Sequence, residues 1–188
     1  MTRFLAVFIL AFGASCIAEA RPERPNIVLI VTDYMGATDI GPYGATDIQT
    51  PSLAALAAQG VRFTNYYAAA SICGPSRAAM MSGQYPARIG FENNIGEGND
   101  GLDASIATLP ALLKAQGYRT GLFGKWHLGH SATTDPIAHG FDEFIGYHNW
   151  SIHHYTHRND SGEEALTKKR EVVERDGYLT EIITDESI

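Results

Sequence analysis

The sequence predicts an α/β fold with a largely parallel central sheet and helices on both faces. Three observations lead there. Residues 26–31 form a continuous apolar, β-branched run, the mark of a strand buried on both faces and hence of a parallel sheet. Stretches of strand and helix character then alternate along the chain. Two helical stretches open on a threonine with proline in the first turn, at Thr50-Pro51 and Thr108-Leu109-Pro110, and close on Gly60 and Gly117, which is how helix ends are usually written.

Residues 21–25 read as a short charged, proline-containing linker, followed by the first strand at 26–31. Thr50-Pro51-Ser52 opens a helix with an N-cap and proline at N1; Leu53, Leu56 and Ala57 form its apolar side and Gly60 ends it. Residues 61–67 read as a second strand. A loop carrying Cys73 leads into a helix over 76–82, and a Gly/Asn/Asp-rich loop spans 92–103. Thr108-Leu109-Pro110 caps a further helix, with Leu109, Leu112 and Leu113 apolar and Gly117 closing it, before a third strand at 118–123. Residues 140–146 suggest a short strand between turns, 153–175 a polar surface excursion, and 178–188 an amphipathic helix without a closing cap.

The N-terminus has the form of an export signal. Arg3 is the positive start, 4–12 the apolar stretch, and Ala18-Glu19-Ala20 the small-x-small site before Arg21. The apolar stretch is too short for a membrane span, which takes about 20 residues. Cleavage after Ala20 would leave Cys73 as the one cysteine of the two in the chain, so no internal disulfide is expected. A formal net charge of −7 argues against a nucleic-acid partner, because no basic stripe is present to neutralise phosphates.

The densest chemistry lies in Cys73-Gly74-Pro75-Ser76-Arg77. Proline favours the first helical position, which places the cysteine sulfur at a helix N-terminus, where backbone N–H groups favour anions. Arg77 adds a planar fork of donors suited to a tetrahedral oxyanion. Ligands of parallel α/β sheets bind beyond the carboxyl ends of the strands. Asp33 follows the first strand, the Cys73 loop joins the second to its helix, and Lys125 and His127 follow the third, so all fall on one edge. Residues two apart in an extended chain point the same way, placing Lys125 and His127 together and Trp126 opposite. The seven histidines include His130, His148, His153, His154 and His157, but no zinc-binding pattern occurs.

Cys-Gly-Pro-Ser-Arg resembles the signature of the sulfatase family. So do 25–33 ending in Asp33, Gly83-Gln84-Tyr85-Pro86-Ala87-Arg88-Ile89-Gly90, and Gly124-Lys125-Trp126-His127-Leu128-Gly129, in the family's order. The resemblance implies an alkaline-phosphatase-like sandwich, with 1–20 a signal peptide and 21–188 the N-terminal part of a catalytic domain that stops inside a helix. It implies hydrolysis of sulfate monoesters on a sugar or aryl alcohol, in an exported protein that is periplasmic, secreted or lysosomal. By that resemblance Cys73 is converted to formylglycine by a formylglycine-generating enzyme, and its hydrate is the nucleophile. Arg77 would hold it, Lys125 would neutralise sulfate oxygens, and His127 would take a proton. Asp33, with the converted Cys73, would bind one divalent cation, Ca²⁺. The family usually has Asp-Asp where this chain has Asp33-Tyr34, so one anionic ligand is replaced by a phenol. The rival readings are a phosphonate or phosphate ester hydrolase of the same superfamily, and a non-catalytic exported chain.

Overall fold

The computed structural model describes residues 24–96, 100–163 and 165–188. The leader at 1–20 lies outside them, as do residues 97–99 of the glycine-rich loop. The chain divides into two compact units, Met1–Met35 and Gly36–Ile188. No helix among the described residues is long and apolar enough to cross a membrane.

In the first unit the described residues form no helix or strand and are open to solvent. The strand expected at 26–31 does not form: Ile27 to Val31 are all exposed, Val28 by 82%. A strand exists only through its ladder partners, and no described segment pairs with this run.

In the second unit the helices are α1 (Pro51–Gln59), α2 (Cys73–Ser82), α3 (Leu109–Ala115) and α4 (Leu179–Glu186); the strands are β1 (Gly121–Lys125), β2 (Glu143–Tyr147), β3 (Thr167–Lys168) and β4 (Glu171–Val172). Pro51 stands at N1 of α1 and Gly60 follows it, as expected. Its apolar side is only partly covered: Leu53 and Ala57 are half-buried and Leu56 is exposed. The second expected strand, 61–67, is also absent, and Val61, Phe63, Tyr66 and Tyr67 are exposed for the same want of a ladder. The leucines of α3 likewise stay largely open, and only Pro110 is buried there.

The α/β class holds, and the sheet among the described residues is mixed, in the order β1-β2-β3-β4. β1 and β2 run parallel, with Gly124 opposite Gly146 and Lys125 opposite Tyr147. β3 and β4 form an antiparallel hairpin on β2. That hairpin corrects the reading of 153–175 as a surface excursion. Leu166, just before β3, and His157 are buried, so the segment contributes to the core despite its polar composition.

Alternation along β1 and β2 divides the core in two. On one face Trp126 and Phe144 pack with Ala78 and Met81 of α2, and with Phe91, Leu102, Leu128 and Phe141. On the other, Ile145, Ile152, Leu166 and Leu179 pack with Phe123, Ile182 and Ile183. So α2 and α4 cover opposite faces of the sheet.

Candidate active site

Cys73 stands at the first position of α2, with Ile72 as N-cap in extended conformation. The helix therefore starts two residues before the place expected from Pro75, which sits at the third position. The shift costs nothing. The first four N–H groups of a helix have no intrahelical partner, and the ladder begins with Ser76 N–H on Ile72 O at 3.1 Å.

Asn94 closes this amino terminus. Its Oδ1 accepts the Gly74 N–H at 3.0 Å and lies 3.7 Å from Cys73 Sγ, within reach of the thiol as donor. A Cβ on Gly74 would come 2.7 Å from that oxygen, so the glycine makes the approach possible. Phe91, buried in the core, and Ile95, packed against it, fix the segment around Asn94. The sequence reading passed over Asn94 as part of a loop. Twenty-one residues separate it from Cys73, so no local spacing rule would have found it.

Arg77 lies one turn along α2, half-buried. Its Nη1 donates to the backbone oxygen of Lys125 at 2.8 Å, joining the helix that carries Cys73 to the carboxyl end of β1. Lys125 is the last residue of β1 and is 8% exposed; His127 is 4% exposed. Both side chains are therefore buried, unusual for a lysine at a strand end. His127 takes a left-handed backbone, φ 57°, which removes it from the two-residue alternation used to place it beside Lys125. Asp33 lies in the first unit and is exposed.

Trp126, between these two side chains, is buried, and its indole N–H donates to Thr134 O at 2.9 Å. His139 packs on it at 5.5 Å between ring centroids, and His139 Nε2 meets Leu102 O at 3.0 Å. Burial pushes the His139 pKa down. Leu102 N–H in turn donates to Leu128 O at 2.8 Å. Gly129 has φ 137°, and a Cβ there would come 2.2 Å from Thr134, so only glycine closes this motif.

A second group sits past the end of β2. His148 lies 6.3 Å from the His130 ring, and burial, then the His130 charge, push its pKa down to about 4. Asp135, 2% exposed, is held by the Arg170 guanidinium and by Ala138 N–H at 2.7 Å. Burial pushes its carboxyl up, but Arg170 and Ala138 outweigh this and the net shift is downward. Among the described residues no group of three His, Cys, Asp or Glu is placed to hold a metal ion.

The family model for sulfatases matches residues 25–188. The chain is 38% identical over 166 residues to N-acetylgalactosamine-6-sulfatase of Sus scrofa, covering 84% of this chain and 32% of that protein. It is 43% identical over 159 residues to steryl-sulfatase of Mus musculus, covering 78% of this chain and 25% of that protein. Among solved structures, Ps i-CgsB superposes with a TM-score of 0.82 at 32% identity, over 88% of this chain and 40% of that one. BT4656, solved in complex with its substrate D-glucosamine-2-N,6-O-disulfate, superposes with a TM-score of 0.72 at 30% identity, over 88% and 30%. The chain thus spans a third or less of the length of these curated relatives. With their alkaline-phosphatase-like fold and this breadth of match, the chain belongs to the sulfatase family.

Proposed function

We propose that residues 21–188 are the N-terminal part of a catalytic domain that hydrolyses sulfate monoesters, with Cys73 as the precursor of the nucleophile. The observation that carries this reading is the Arg77–Lys125 hydrogen bond. It ties the helix bearing the cysteine to the strand end bearing the buried lysine, in a chain of the sulfatase family. The relatives named for N-acetylgalactosamine 6-sulfate and the neighbour bound to a sulfated glucosamine favour a sulfated sugar as substrate.

Cys73 fits conversion to formylglycine. It is half-buried at a helix amino terminus, with a hydrogen-bond acceptor beside its Cβ substituent. The hydrated aldehyde supplies one hydroxyl to attack sulfur and a second whose proton departs as sulfate is expelled. Lys125 neutralises sulfate oxygens from a poorly solvated position, where a fixed charge counts for more than in water. His127 accepts the departing proton. Arg77 fixes the geometry of the helix start against the strand end. Of the Ca²⁺ that the family uses, this chain supplies Asp33 as one ligand. One carboxylate does not make a calcium site, and Tyr34 adds no anionic oxygen.

The 1–20 leader supports export, and maturation calls for a formylglycine-generating enzyme as partner. The test is peptide mass spectrometry of the protein from its native host, then sulfate release by the full-length enzyme. Conversion makes the Cys73 peptide about 18 Da lighter, as a thiol gives way to an aldehyde. Unconverted Cys73 overturns the reading in favour of a non-catalytic exported chain. Faster cleavage of a phosphodiester than of a sulfated sugar overturns it in favour of the phosphonate and phosphate ester hydrolases.

A further inference from the structure

We infer that Asn94 is the positioning residue for the side chain at position 73: its carboxamide oxygen selects the orientation of the Cβ substituent and holds one of its protons. The inference rests on the reading of Cys73 as the nucleophile precursor, but its geometry does not. Asn94 Oδ1 takes two donors at once, Gly74 N–H at 3.0 Å and the Cys73 thiol at 3.7 Å. A carboxamide oxygen has two lone pairs and accepts both without conflict. The Gly74 bond fixes the oxygen on the helix start, and the position-73 side chain then turns its proton toward it.

Three features make the arrangement specific. Gly74 carries no Cβ, and one would meet the oxygen at 2.7 Å and Phe91 Cε1 at 3.4 Å. Phe91 is buried in the core three residues before Asn94, and Ile95 packs against the same cluster directly after it. Asn94 is also neutral. It accepts a hydrogen bond from a thiol or hydroxyl without adding negative charge next to an anionic substrate. An aspartate would fit the same space and repel both a thiolate and a sulfate.

On a side chain carrying two hydroxyls, the acceptor would distinguish them. The one donating to Asn94 keeps its proton, and the other is left to attack. Asn94 itself never touches substrate in this scheme.

The experiment uses the full chain with Cys73 unconverted and iodoacetamide as probe. The thiol proton passes to solvent, the thiolate sulfur displaces iodide, and an S–C bond forms. Asn94→Ala removes the acceptor that holds the proton and frees Gly74 N–H for the thiolate, so alkylation should run several-fold faster. Gly74→Ala, which pushes the oxygen away by contact, should act in the same direction. Asn94→Asp should slow the reaction below wild type, because its charge opposes the thiolate. Neutral and charged replacements moving the rate in opposite directions is the supporting result, since loss of a merely structural cap would move both alike. Equal rates in all four proteins, or acceleration in both Asn94 variants, overturns the inference. Melting curves identify any variant that fails to fold, and Gly74→Ala then replaces Asn94→Ala as the neutral arm against the isosteric Asn94→Asp. In the converted full-length enzyme, Asn94→Ala should lower kcat about tenfold or more with KM unchanged, the pattern of lost orientation. Failure of that enzyme to turn over sulfate esters in wild-type form refutes the proposed activity while leaving the alkylation result standing.

Discussion

Gly146→Ala tests whether the β1–β2 pairing sets the site. A Cβ at position 146 would lie 1.8 Å from Gly124 O and 2.6 Å from Gly124 C. Carbon contacts settle at about 3.5–4.0 Å, so relief requires the strands to part by roughly 1.7 Å. No flexible side chain can absorb this, because the obstructing atoms are backbone. The Trp126 N–H bond to Tyr147 O, 2.9 Å in the native chain, would stretch beyond bonding distance with its neighbours in the ladder. Losing two or three such bonds at about 1 kcal/mol each, with overpacking of about 1–3 kcal/mol, gives a destabilisation of roughly 3–6 kcal/mol. For a chain of this size that is on the order of 10 °C in Tm. The assay is thermal unfolding followed by far-UV circular dichroism, with Gly60→Ala as control. Gly60 has φ −121°, and its Cβ would meet only Leu56 O at 3.4 Å, so that variant should stay close to wild type. A Gly146→Ala protein melting within about 1 °C of wild type would refute the reasoning.

Arg77→Ala should cost about 1.5–3 kcal/mol by leaving Lys125 O without its charged donor, and Arg77→Lys should recover little of it; urea unfolding midpoints measure both. Protonation of His148 is opposed in the fold, where its pKa is about 4, while the unfolded chain binds that proton near pH 6.5. Stability should therefore fall as pH drops from about 6.5 to 4, by about 2–3 kcal/mol after allowance for partial exposure, and His148→Gln should flatten that part of a Tm-against-pH curve. Arg170→Ala leaves the buried Asp135 carboxylate without its cation and should lower the Tm near pH 7. The deficit should shrink as the pH is lowered and Asp135 takes up a proton, which melting at pH 7 and pH 3 would show.

The parts of the site legible in the sequence are those that sit within one element. Cys73, Gly74 and Arg77 share a helix turn and Lys125 closes a strand, each within two residues of the helix start and strand end that the sequence suggests. Partners brought together by tertiary folding were not legible. Asn94 reaches Cys73 across a loop, and Arg170 reaches Asp135 across thirty-five residues. The runs at 26–31 and 61–67 have the composition of buried strands, yet composition states only what a segment suits. The ladder that makes a strand has to come from elsewhere, and no described segment provides it. The β3–β4 hairpin shows the reverse: two-residue strands in a polar stretch, too short for any periodicity to register.

Trp126 has a bearing on how sequence variation in this protein should be interpreted. It stands between the two buried polar side chains of its motif, yet its own work is to anchor the turn through Thr134 and His139. Replacing it removes a fully buried indole and an N–H bond, enough to unfold a marginal domain. In a saturation screen position 126 should score as severely as Lys125 or His127, but through loss of soluble protein rather than loss of turnover. Abundance and specific activity therefore need separate readouts before any position in the motif is labelled chemical. Low-temperature expression should rescue conservative replacements at 126 and leave those at 125 and 127 inactive.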